Sequence, residues 1–212
     1  MTLAAKLTDK QKWQRLLSSL RYSLYVIFHP FDGFWDLSRE KRGSLGAANI
    51  IVFLVLLVRL LSMQFTPFLF MNVYWPSVNI IQQCLAVLLP LLFFVAEGKG
   101  TFKDVYIATC YALTPYVILQ AAMILLANVI TAKEGAFYYV LEGLSLGWSG
   151  ALIICGMMQT HDYSLGKTLL FTIMTLLAMV VIIFLLLLFF SLVGDGIGYF
   201  VSLYKEVLFR LY

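Results

Sequence analysis

Long uncharged apolar runs set the pattern of this chain. The longest covers residues 168–194, 27 positions without Asp, Glu, Lys or Arg. A helix crosses a hydrocarbon core of about 30 Å with about 20 apolar residues, so this run spans with length left for tilt. Residues 60–96 and 105–132 are also free of charge, and 143–160 form a shorter clean stretch. Divided at their polar turns, the runs predict five membrane-spanning helices at about 45–64, 78–96, 105–131, 137–158 and 168–193. The turns are Glu97-Gly98-Lys99-Gly100, Lys133-Glu134-Gly135 and His161-Asp162-Tyr163-Ser164, with an aromatic and proline-rich interfacial loop over 65–79. Pro90 and Pro115 fall inside the second and third spans and are candidate kinks.

The two ends of the chain have a different period. Thr8 and Gln11 have capping-box spacing, and Trp13, Leu16, Leu17, Leu20, Leu24 and Ile27 then recur at helical spacing. Lys10, Lys12, Arg15 and Arg21 flank that stripe, which predicts a basic amphipathic helix lying in the headgroup plane. His29-Pro30 ends it, because a residue before proline avoids the helical region. A second short interfacial helix is predicted from Pro30, with the proline in its first turn. Gly194-Asp195-Gly196 is expected to break the last span, and 197–212 to form another amphipathic helix. The fold class is therefore all-α: a polytopic integral membrane protein, a five-transmembrane-helix bundle with N- and C-terminal interfacial amphipathic helices. Its divisions are a basic cytoplasmic or interfacial arm at 1–42, the transmembrane domain at 43–195 and the outer helix at 196–212.

Composition agrees. Apolar residues make up 62% of the chain and charged residues 12%, against about 25% charged in soluble domains. The net charge is +4, but its placement matters more: eight of the fifteen Lys and Arg precede residue 43. That spread fits a membrane-surface arm and excludes a nucleic-acid stripe. With the N-terminus inside, eleven basic residues fall on the inner side and three on the outer side. The bias predicts a cytoplasmic N-terminus and an external C-terminus. The first apolar run begins too late for a cleavable signal peptide, so the first span is expected to direct insertion. Cys84, Cys110 and Cys155 sit in apolar segments without CxxC or Cys/His spacing, and read as packing residues.

Few residues could carry chemistry. Arg59 and Glu142 are the two charges inside spans, each about five residues, or roughly 7–8 Å, from the outer end. Equal depth and opposite sign make them a candidate intramembrane ion pair; separate snorkelling to the interface is the alternative. Gly143 and Gly147 have GxxxG spacing, and with Gly150 they are candidate helix-packing positions. HExxH and phosphate-loop motifs are missing from the sequence, as is metal-ligand spacing, so the chain reads as no enzyme, with no catalytic residue, cofactor or metal. His161 beside Asp162 reads as a polar loop residue. Three functional readings stay open: a membrane scaffold or accessory subunit, a small homo-oligomeric transporter or channel, and a membrane-shaping or trafficking protein. Mid-bilayer polarity is limited to groups such as Thr109, Tyr111, Thr114, Ser145 and Ser149, which weighs against a proton pathway.

The order of features adds a resemblance. A basic arm ends in Pro30-Phe31-Asp32-Gly33-Phe34-Trp35. The stretch EGKGTFKDVYIATCYALTPYVI follows the second span, and WSGALIICGMMQTHDYSLGKTLLF comes later. Over about residues 20–195 the chain resembles the bacterial branch of the Ypt-interacting protein (Yip) family. The resemblance implies five spans with a cytoplasmic N-terminus, in the bacterial cytoplasmic membrane. Eukaryotic members act in vesicle traffic with prenylated Rab GTPases, but this chain lacks their long N-terminal region and its Asp-Leu-Tyr-Gly-Pro type element. Bacterial members encoded beside carbohydrate ABC-transporter permeases imply an accessory role there. The expected partners are thus the lipid bilayer and either such permease subunits or further copies of the chain. The resemblance carries over no functional residue.

Overall fold

The computed structural model describes residues 3–70, 78–96 and 101–211. Among them the regular structure is helical: α1 (Leu3–Phe28), α2 (Pro30–Arg39), α3 (Leu45–Phe65), α4 (Ile80–Ala96), α5 (Phe102–Ala112), α6 (Thr114–Ala127), α7 (Gly135–His161) and α8 (Leu165–Leu211), with a 3-10 turn at Ala132–Glu134. Contacts divide the chain into one unit ending at Leu170 and a second beginning at Phe171.

In the first unit, α3, α5, α6 and α7 pack on one another, α4 lies against α3 and α5, and α1 and α2 close one end. Ser44 starts α3 from extended backbone, its Oγ accepting the Ala47 N–H at 3.1 Å, the usual N-cap arrangement. Ala47, Ala48, Ile51, Val52, Val55 and Val58 then form the buried face, while Phe53 and Leu57 point outward. The third predicted span is two helices. Pro115 has no N–H and its ring crowds the carbonyl four residues back, which is that of Tyr111. The chain turns at Leu113, and Thr114 Oγ1 donates to the Tyr111 carbonyl at 2.7 Å, replacing the missing bond. Pro90, by contrast, lies within a continuous α4.

The sequence places α2 at an interface; the structure packs it into the bundle. Gly33, Phe34 and Leu37 are buried, with Phe31 and Trp35 exposed. Phe34 fits because residue 156 of α7 is glycine: a Cβ there would stand 3.1 Å from the Phe34 ring. Gly33 allows an equally close approach to α1, where a Cβ would lie 3.0 Å from the Val26 backbone. The first helix also differs from expectation. It begins at Leu3, so Thr8 lies inside the helix and not at its start. Its apolar stripe divides: Ser19, Ser23, Val26 and Ile27 face inward, while Trp13, Leu17, Leu24 and Phe28 stay exposed. The inward serines have a partner the helical period cannot show. Ser19 Oγ and the Tyr111 hydroxyl are hydrogen-bonded at 2.5 Å.

Ion pairs pin this end. Arg39 meets Asp162 at 2.5 Å, Lys41 meets Asp104 at 2.5 Å, and Arg42 meets both Glu40 at 2.6 Å and Asp36 at 3.2 Å. Lys41 and Asp162 both have left-handed backbone, φ 55° and 54°, at the ends of α2 and α7. Exposed pairs contribute about 0–1 kcal/mol each. Asp104 is the most enclosed of these carboxylates, at 14% exposure. A double-mutant cycle on Lys41→Ala and Asp104→Ala is therefore expected to give a coupling of about 1 kcal/mol; purely additive losses in detergent melts would show the pair to be idle.

The described residues of the second unit lie within α8, a helix of 47 residues, or about 70 Å. It continues through Gly194-Asp195-Gly196, where the sequence predicts a break, so no separate C-terminal helix forms. Each glycine costs about 1 kcal/mol in a helix. No proline follows residue 171 to stop it, and strong helix formers on both sides propagate the hydrogen-bond ladder.

Among the described residues, four helical stretches are long and apolar enough to cross a membrane: Leu45–Phe65, Phe102–Ala127, Gly135–His161 and Leu165–Glu206. The fifth apolar helix, α4, has 17 residues, about 25 Å.

Candidate functional site

Helix α3 runs away from the α2 end, and α7 returns to it. At the far end the Asn128 amide donates to the Phe65 carbonyl at 3.0 Å, joining α6 to α3. There too, Phe70 stacks on Tyr138 with ring centroids 4.9 Å apart. Arg59 lies six residues before the end of α3 and Glu142 seven after the start of α7, so both sit about 9–10 Å from that end. The two sit at similar distances from their helix ends, but no ion pair joins them: among the described residues neither has an oppositely charged partner within 4 Å. Instead both lie within electrostatic reach of the buried Tyr138 hydroxyl.

Three predicted residues of different kinds meet at one place. Arg59 of α3, Pro90 of α4 and Gly150 of α7 line a cavity of about 360 Å³ inside the first unit. Val55, Leu91 and Tyr116 supply apolar wall. Ser149 also lines it, buried, with its Oγ lacking a hydrogen-bond partner among the described residues. The reading of Ser149 as background polarity missed this, because an unpartnered hydroxyl is a property of packing, not of spacing. On α7, Glu142 is four, seven and eight residues before Leu146, Ser149 and Gly150, which places it on the cavity-lining face, one turn beyond Leu146.

The glycine stripe separates. Gly143 and Gly147 are exposed, and a Cβ at either would meet nothing within 4 Å. Close packing within the bundle falls instead to Gly156, under Phe34. Pro115 is the bend between α5 and α6; Pro90 is cavity wall. His161, expected in a loop, is the last residue of α7 and is buried.

At the α2 end, the Tyr22 hydroxyl donates to Asp36 Oδ2 at 2.9 Å, and the Arg42 guanidinium stands 5.9 Å from the Tyr22 ring centre. Burial first, and the Asp36 carboxylate next, push the Tyr22 phenol well above its usual range. These groups lock α2 in place; they form no nucleophile–base arrangement.

Long apolar helices, packed in the first unit around an apolar cavity, define an all-helical integral membrane protein. Residues 24–200 match the Yip1 domain family, and the chain belongs to that family of membrane proteins. No curated protein and no solved structure matches the chain.

Proposed function

We propose that this protein is a non-enzymatic scaffold or accessory subunit of a membrane complex, docking a partner's transmembrane helix on α7. The open Gly143-xxx-Gly147 face carries the proposal. Lipid chains gain nothing from small residues, whereas a second helix needs them for close approach. Exposed Val140, Leu144 and Trp148 lie along the same helix and offer a partner van der Waals contact. The topology that goes with this reading has five spans, α4 among them, with the N-terminus cytoplasmic, as the distribution of Lys and Arg supports. The permease of a carbohydrate ABC transporter is the partner class we favour, in the bacterial cytoplasmic membrane.

Purification from native membranes in a gentle detergent, with mass spectrometry of the intact complex, tests this. The wild type is expected to carry a stoichiometric membrane partner. Gly147→Leu is expected to lose it while melting at or above the wild-type temperature, since its Cβ meets open space and leucine is the better helix former by about 0.8 kcal/mol. A lone wild-type chain would refute the scaffold reading. An unchanged complex in the variant would move the docking face elsewhere.

A further inference from the structure

The cavity beside Arg59 belongs to no step of the docking just proposed, yet it has the elements of a binding site. At about 360 Å³ it falls within the range of ligand pockets and has room for about a dozen water-sized groups. Its wall is apolar, but Ser149 presents a buried hydroxyl without a partner among the described residues. Buried polar groups are normally satisfied, so this one calls for an acceptor from outside the chain. The mouth is lateral: Ala86 and Leu146 both line the cavity, both are exposed, and both lie away from the ends of their helices. Such an opening faces hydrocarbon, not water.

The charges decide what enters. An unpaired charge inside a span is costly, and here two of opposite sign stand at similar distances from their helix ends, Arg59 on the cavity wall and Glu142 one turn beyond Leu146, not neutralising each other within 4 Å. A purely anionic ligand would suit Arg59 and be repelled by Glu142. We infer that the cavity holds one acyl chain of a bilayer phospholipid with a phosphate–primary amine headgroup, its phosphate on Arg59 and its ammonium on Glu142. Arg59 binds phosphate through its planar fork of donors. Its long side chain reaches toward the headgroup level, and an ester carbonyl or hydroxyl of the lipid gives Ser149 an acceptor.

The test uses the purified full chain in detergent, with three phospholipids of identical chains, carrying ethanolamine, choline or glycerol headgroups, competed in pairs and read by native mass spectrometry. The ethanolamine lipid is expected to win by about tenfold over each of the others, the order a single charge-assisted hydrogen bond gives. Glu142→Gln is expected to erase that preference and leave a phosphate-dependent adduct; Arg59→Gln is expected to lose the adduct. Gly150→Leu, whose Cβ enters open space, is expected to fill the cavity and reduce all three adducts while the protein stays monodisperse. Equal retention of the three headgroups by the wild type overturns the inference, as does a preference for the glycerol lipid. Both are read without any variant having to fold.

Discussion

Alanine in place of Phe34 is expected to lower stability by about 3–5 kcal/mol, the usual loss for a buried phenylalanine. Phe34 is fully buried, and it joins three elements: its own α2, the α7 backbone at Gly156 and the core cluster that includes Val26, Leu37 and Ile107. Neighbours on rigid helices relax little into such a gap, so the cavity term is added to the transfer term. The ion pairs around α2 are exposed on at least one side and cannot compensate. Thermal melts in a mild detergent measure the loss, and Trp35→Ala, one position on and 48% exposed, is the matched control. A Phe34 variant melting with the Trp35 variant would mean that α2 rests on the surface and is not anchored.

The second large effect is expected at Tyr111. Among the described residues it is the largest fully buried side chain, and its hydroxyl joins α5 to α1 through Ser19 Oγ and through the Ser19 carbonyl at 3.2 Å. Tyr111→Ala removes ring and bond together, for an expected loss of about 3–5 kcal/mol. Tyr111→Phe keeps the ring and leaves Ser19 facing an apolar edge, for about 1–3 kcal/mol. The readout specific to this contact is hydrogen exchange in α1. Tyr111→Phe is expected to raise exchange around Ser19 and Ser23 more than in α3 or α7. A uniform rise across the bundle would show that Tyr111 supports the core as a whole and holds α1 no more than any other helix.

Much of the helical layout is legible in the sequence, because apolar length and turn residues depend on local chemistry. The start of α3 at Leu45, the stop at His29, Pro30 in the first turn of α2 and the bend at Pro115 all follow from backbone rules. What the sequence misplaces depends on partners distant in the chain. The burial of Phe34 needs Gly156, 122 positions later, and the inward serines of α1 need Tyr111. Hydrophobic period reports that a residue is apolar, not whether it meets lipid or protein, and in a membrane both choices are apolar. The same ambiguity hides the difference between the open Gly143 and Gly147 and the packed Gly156. At α8 the failure is local: three helix-weak residues, Gly194-Asp195-Gly196, are outweighed by the length of helix on either side. Arg59 and Glu142 show the limit of depth arguments, since equal depth on two helices leaves their azimuths free.

Site-directed cross-linking in native membranes tests the docking of a partner on α7 most directly. A single cysteine at position 147, with Cys84, Cys110 and Cys155 replaced by alanine, would carry a short photoactivatable cross-linker. Docking at the stripe predicts one adduct of defined mass from position 147 and none from a cysteine at Phe137, an exposed position nearer the start of the same helix. Lipid adducts alone at position 147, or equal protein adducts from both positions, would contradict it.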